Sequence, residues 1–353
     1  MKTNQATSKG VKIWLWIGLV MIFMQILLGG ITRLTGSGLS ITKWDIVTGM
    51  MYPLSEESWQ QEFDLYKATP QFQKINADFK LQDFKFIYFW EYFHRLWARM
   101  MGFVFIIPFS YFLLRRKINK LLGRRLIILV LLAALVASLG WIMVASGLVN
   151  RPWVNAYKLS FHLSLAVLTL LYLADILFSV SPQKDLITVS QSTKKWFGLL
   201  VILCFVQIFM GGIMAGMKAS IIAPTWPKIN QDWIPPQVFN GSLYGEYVFD
   251  AYEQSHVGPV IIQFWHRLTA YAIFLLTLVI TLQWMRINKQ SDKFWALILV
   301  ALVFLQLLLG ILTLLYSVGA VPLWFAVTHQ LTGIVLMLCL FYIHRYKLKP
   351  IHP

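Results

Sequence analysis

Cysteine is nearly absent from this chain. Its 353 residues hold two, Cys204 and Cys339. Both fall inside apolar runs, so no loop disulfide is available and no Cys-x-x-Cys pair offers a redox dithiol or metal site. They read as small core residues. Acidic residues are scarce too, 15 against 31 Lys plus Arg. No Gly-Lys-Ser/Thr follows the glycines near residue 36, which excludes a phosphate-binding loop, and no His-x-x-x-His places two ligands on one helix face. The first apolar run is too long for a cleavable signal, no small-residue cleavage site follows it, and there is no Arg- and Ser-rich transit segment. A bacterial inner membrane is the expected location.

What is abundant is apolar sequence. The chain is 58% hydrophobic and 13% charged, with 15 Trp and 25 Phe. Eight apolar runs, near 13–31, 86–114, 126–148, 158–180, 196–215, 260–284, 294–316 and 321–343, are long enough to span a bilayer. Lipid requires internally satisfied backbones, and runs of this length mean helices rather than barrel strands. The expected fold class is therefore an all-α integral membrane protein of eight transmembrane helices.

The net charge of +16 does not indicate nucleic acid. With the N-terminus in the cytoplasm, 18 of the 31 basic residues fall in short segments on that side, and 12 of the 15 acidic residues fall on the other. This positive-inside asymmetry predicts that both termini are cytoplasmic. The basic excess reports topology and contact with anionic lipid.

The sequence also repeats itself. Gln25-Ile26-Leu27-Leu28-Gly29-Gly30-Ile31 parallels Gln207-Ile208-Phe209-Met210-Gly211-Gly212-Ile213, and the same offset takes Trp44 to Trp226 and Pro53 to Pro235. Phe93-His94-Arg95-Leu96 then parallels Trp265-His266-Arg267-Leu268, Leu139-Gly140 parallels Leu309-Gly310, and His162 parallels His329. An ordered set with slowly drifting offset predicts two tandem parallel four-helix repeats, 1–180 and 181–353.

His94, His162, His266 and His329 each lie a few residues inside a span that runs from outside to inside. At 1.5 Å per residue they sit roughly 7–12 Å below the outer surface. Intramembrane histidines usually face the bundle interior and bind something or relay protons. Two facing imidazoles at one depth suit a flat ligand held between helices, and a haem with two axial histidines fits best. Zinc fits less well, because no carboxylate or thiolate joins either pair. His256, His344 and His352 are expected in solvated loop or tail.

The two pairs differ in one neighbour. Glu91 precedes His94 by three residues, on the same helix face, where the second half has Gln263. A buried carboxylate is costly and usually functional, which suggests chemistry in the first half and a permanent cofactor in the second. The alternative is an ion pair of Glu91 with Arg95 or Arg99. Arg33, Arg95, Lys218 and Arg267 lie at the same level, and two roles stand open for them: binding haem propionates, or reaching the headgroups. Asp175, near the inner end of its span, reads as interfacial. The outer loop 32–85 is long. Within it, 55–66 carries Trp59, Phe63 and Tyr66 among acids and reads as an amphipathic helix over the bundle. Its counterpart around Pro224-Thr225-Trp226-Pro227 is rigid and aromatic. Both loops could lid the pockets or simply anchor at the interface.

Residues 29–40 (Gly-Gly-Ile-Thr-Arg-Leu-Thr-Gly-Ser-Gly-Leu-Ser), Trp44, Glu91-Tyr92-Phe93-His94-Arg95, Leu148 with His162, Phe264-Trp265-His266-Arg267 and His329-Gln330 together resemble the haem A synthase family over essentially the whole chain. The likeness is to the mitochondrial and proteobacterial type, with a long first outer loop and no loop cysteine pair. The resemblance implies an oxidoreductase that converts a ring methyl of haem O to a formyl group, giving haem A for cytochrome oxidase. By position, His266 and His329 would ligate a resident haem b, His94 and His162 would bind the substrate haem, and Glu91 would assist the chemistry. The methyl would be oxidised in successive steps, with a gem-diol losing water. Partners to expect are haem O, membrane lipid, haem O synthase, an unidentified electron donor and a second copy of the chain. A di-haem b-type carrier that oxidises quinol would explain the four histidines equally well, though not the single carboxylate. A parallel-repeat transporter with histidine proton relays would bind no haem.

Overall fold

The computed structural model of the chain describes residues 7–43, 51–148, 151–181, 186–244, 248–249, 251–287 and 290–350. Trp44, Asp185 and His352 lie outside the described residues. The chain forms two compact units, Met1–Ser181 and Pro182–Pro353.

In the first unit α1 spans Lys9–Leu34. Two short helices follow, α2 (Glu56–Lys67) and α3 (Pro70–Lys74), then the long helices α4 (Leu81–Leu114), α5 (Lys120–Gly147) and α6 (Ala156–Ser179). The second unit holds β1 (Ile187–Val189), α7 (Gln191–Gly216), α8 (Ala219–Ile222), α9 (Val257–Ile287), α10 (Gln290–Leu315), α11 (Leu323–Tyr342) and β2 (Leu348–Pro350). Eight of these helices are long and apolar enough to cross a membrane, which makes this a multi-pass membrane protein.

Helix starts follow local capping chemistry. Side-chain oxygens of Ser8, Asn119, Asn155 and Ser190 accept backbone N–H bonds at the starts of α1, α5, α6 and α7. The amphipathic helix expected at 55–66 is α2, begun by a Ser55–Ser58 capping box. Its apolar face, Trp59, Phe63 and Tyr66, packs on Phe84, Ile87 and Tyr88 of α4. This contact explains one departure from expectation. Helix α4 begins at Leu81, five residues before the predicted span, because its first turns serve as a platform for α2. Burial pushes the Tyr66 phenol up to about 12, although the bond from Asn76 opposes the shift. The phenol therefore stays a donor, to Gln71 Oε1 at 3.1 Å, and it accepts from Asn76 Nδ2 at 2.8 Å.

Packing order differs between the units. In the first, α4, α1, α6 and α5 pack in sequence, and α4 does not close onto α5. Phe103, Ile106 and Ile107 on α4 and Ile127, Ile128 and Leu131 on α5 remain exposed. In the second, α9, α7, α11 and α10 pack in sequence and α10 returns to α9, closing the ring.

Two features escaped the sequence reading. Strands β1 and β2 pair in parallel, with Ile187 opposite Leu348. His344, expected in a solvated tail, is half-buried in a π-helical continuation of α11, with its Cε1 3.2 Å from where a Cβ on Gly198 would stand. The pairing of β2 with β1 carries the chain end back over α7, and the imidazole fills the gap that Gly198 leaves. Asp175 pairs with Arg125, which also donates to Ser179 at 2.8 Å, so its role joins α5 to α6.

We predict that Asn155→Ala lowers the thermal midpoint, because the carboxamide caps both Tyr157 and Lys158. The loss should be ~1 kcal/mol; an unchanged midpoint would show that α6 does not depend on this cap.

Candidate functional site

Each of the four histidines is seated on a neighbouring helix by the same device: a glycine, with a hydrogen-bonding residue one turn before it. His162 on α6 lies over Gly140 of α5, and His329 on α11 lies over Gly310 of α10. A Cβ on either glycine would stand 2.9 Å from the imidazole Cε1, closer than side-chain carbons approach. One turn earlier, His162 Nδ1 lies 3.0 Å from Val136 O, and His329 Nδ1 lies 3.1 Å from Gln306 O. A carbonyl can only accept, so Nδ1 carries the proton and the Nε2 lone pair is left free. That is the tautomer a metal ligand needs, oriented by its second nitrogen.

At His94 and His266 the residue one turn before the glycine bonds the histidine's own carbonyl. Gln25 Nε2 donates to His94 O at 3.2 Å, and Gln207 Nε2 donates to His266 O at 2.9 Å. Gly29 and Gly211, one turn later, lie under the two rings. Gln207 Nε2 also lies 3.1 Å from His266 Nε2, where it donates to the ring lone pair. Buried His266 Nδ1 has no partner. The rings of His266 and His329 are 6.5 Å apart between centroids, at 72°. His94 and His162 lie on α4 and α6, both of which pack on α1.

The donor set discriminates among ligands. Among the described residues no group of three His, Cys, Asp or Glu could hold a metal ion. Two imidazoles alone suit a metal whose remaining ligands come from a macrocycle. Bonds of about 2 Å from each nitrogen to a shared metal put ring centroids roughly 6 Å apart, close to the spacing of His266 and His329. These residues fit a haem.

Counted from the helix starts, the two histidines of the first unit stand at different positions. His94 lies thirteen residues after Leu81, and His162 six after Ala156. The reason is the extension of α4 beneath α2.

Glu91 is 2% exposed, and both its oxygens are occupied. Oε1 accepts from Arg95 Nη2 at 2.5 Å. Oε2 accepts from Ser40 N, Ser40 Oγ and Ile41 N at 2.7, 2.8 and 2.8 Å. The ion pair with Arg95 is thus the one formed. Arg95 also donates to Ile41 O and Lys43 O at 3.1 and 3.2 Å. Arg267 donates to Thr225 O at 2.7 Å, to Lys228 O at 3.2 Å and to Gln263 Oε1 at 2.8 Å. Both arginines hold backbone carbonyls of the preceding loop. Arg33 lies in the last turn of α1, where a cation complements the helix dipole. The glutamines and glycines of the seats were visible in the repeated runs, but nothing in one sequence says that they face histidines.

Fold and site together define a helical membrane protein with four histidines on span-capable helices, two of which, His266 and His329, are spaced as a haem iron would require. The COX15-CtaA family, described as cytochrome oxidase assembly protein, matches residues 12–341, and the chain belongs to it. Its relatives include proteins named Heme A synthase. One from Flavobacterium psychrophilum is 39% identical over 98% of this chain and 100% of its own length. Another, from Rickettsia africae, is 38% identical over 92% and 94%. A third, from Wolbachia pipientis wMel, is 36% identical over 95% and 93%.

We predict that Gly310→Ala displaces His329 and costs about 1–3 kcal/mol through overpacking. Haem per chain, measured by pyridine haemochrome, should fall. Full haem content would contradict the seat.

Proposed function

We propose that this protein is a haem A synthase, an oxidoreductase that converts a ring methyl of haem O to a formyl group. The observation that carries this reading is two bis-histidine seats in units of unequal closure, in a chain of the COX15-CtaA family. The closed ring of α7, α9, α10 and α11 suits a cofactor that stays, so His266 and His329 hold a resident haem b. The open side between α4 and α5 suits a lipophilic ligand that comes and goes through the bilayer, so His94 and His162 bind haem O. In the same reading the two units are tandem repeats, the termini are cytoplasmic, and the haem sites lie near the outer face of a bacterial inner membrane.

Bound haem supplies the redox chemistry. The protein supplies placement and protonation state. Val136 O and Gln306 O fix the Nδ1 protons of His162 and His329 and keep each Nε2 basic toward iron. Gln207 occupies the His266 Nε2 lone pair and would have to yield it for that nitrogen to hold a haem iron. Residues 36–43, held by Glu91 and Arg95, cover the end of the first unit beside His94 and keep water from it. The electron donor is a separate partner, and haem O synthase is the source of the substrate.

The test is pigment analysis after expression in cells that make haem O. The wild-type chain should yield haem A. His329→Ala should lower haem b by on the order of tenfold or more, whereas His162→Ala should keep haem b and abolish haem A. Equal haem b in both variants would overturn the division between the units. Haem b without haem A in cells shown to contain haem O would favour an electron carrier.

A further inference from the structure

Glu91 and Gln263 occupy corresponding places, each four residues before an arginine that it engages. The backbone turned toward each has opposite polarity. Around Glu91 the loop turns donors inward: the fixed N–H groups of Ser40 and Ile41, and the Ser40 hydroxyl, which donates to the carboxylate. Around Gln263 it presents acceptors: Gln263 Nε2 donates to Ala219 O at 2.9 Å and to Ala223 O at 3.3 Å, while Oε1 faces Arg267. An ionised carboxylate has acceptors alone, and a carboxamide has both kinds of group. Three loop donors plus an arginine therefore require Glu at 91, and loop carbonyls plus an arginine require Gln at 263. With Gln at 91, the amide would face either Arg95 or the three loop donors, and in both cases buried donors would oppose each other. With Glu at 263, a carboxylate would face two carbonyls.

The segment held by Glu91 is anchored at several points. Ser37 N donates to Thr32 O at 2.8 Å, and Gln71 Nε2 of α3 donates to Gly36 O at 2.9 Å. Leu39 is 1% exposed, and its Cδ2 lies 2.8 Å from where a Cβ on Gly147 would stand, so it fills the space that glycine leaves at the end of α5. Residues 36–43 thus bridge α1, α3, α4 and α5 one helical turn from His94.

The geometry points to Glu91 as a positioning residue: with Arg95 it clamps residues 36–43 over the end of the first unit, as Gln263 and Arg267 clamp residues 219–228 in the second. The contrast between Glu and Gln then follows from loop polarity, not from a proton or charge delivered to a reacting atom. The existence of the clamp is independent of any haem. Only its purpose, closing the end of the His94–His162 site, rests on the proposed function.

Hydrogen exchange on the purified full-length protein tests this. In Glu91→Gln, amides of 36–43 should exchange about ten- to a hundredfold faster, the effect of leaving buried donors unsatisfied, while those of α1 and α6 stay protected. Gln263→Glu should do the same to 219–228 and leave 36–43 unchanged. Glu91→Asp keeps the acceptor polarity and should recover part of the protection, which shape alone does not predict. Added cyanide should react faster with ferric haem in the first unit of Glu91→Gln, a spectral change that general destabilisation does not produce. Unchanged exchange at 36–43 in Glu91→Gln overturns the clamp, whatever haem the protein holds. If that variant does not accumulate, Ser40→Ala removes one donor and leaves the carboxylate. It should speed exchange at 36–43 about tenfold, and no change there overturns the clamp equally.

Discussion

A helix can bring its backbone within touching distance of an imidazole only where it carries no side chain, and the rest of this structure depends on that contact. At Gly140 and Gly310 the missing Cβ lets His162 and His329 lie against the neighbouring helix, within reach of a carbonyl one turn away. In an apolar interior such a bond is strong, and its absence would be costly. It fixes the tautomer as well as the ring position. The sequence thereby sets a chemical property, a basic Nε2, through a steric one. Small residues at helix interfaces are common in membrane proteins because they allow close approach. Here the approach orients an imidazole.

The loops answer to a second constraint. A segment crossing the end of a bundle brings backbone groups that need partners, and a buried side chain must match their polarity. Glu91 and Gln263 meet this need in opposite senses. Their arginines bind loop carbonyls in both units, so each unit is closed at this end by a side-chain pair on the helix that carries its first histidine. Helix packing sets the other difference between the units, since α10 returns to α9 whereas α5 stands away from α4.

Much of this was legible in the sequence. Eight helices follow from eight apolar runs, and α2 follows from Trp59, Phe63 and Tyr66 at helical spacing behind a serine cap. The four histidines stand out because polar residues in such runs are rare. What was not legible depends on contacts between distant segments. Hydropathy cannot report that α4 starts early to receive α2, since Phe84, Ile87 and Tyr88 are apolar whether they face lipid or a lid. Neither does it place His344 against Gly198, or pair Ile187 with Leu348. The contrast of Glu91 with Gln263 was visible, but its cause was not, because backbone polarity in a loop has no signature in side-chain composition.

The central claim is that both histidine pairs are haem seats. The most direct measurement is the visible spectrum and haem inventory of the purified protein from cells that make haem O. The account predicts a low-spin spectrum of two axial imidazoles, with haem b accompanied by haem O or haem A. A purified, folded protein with no Soret absorption would contradict it.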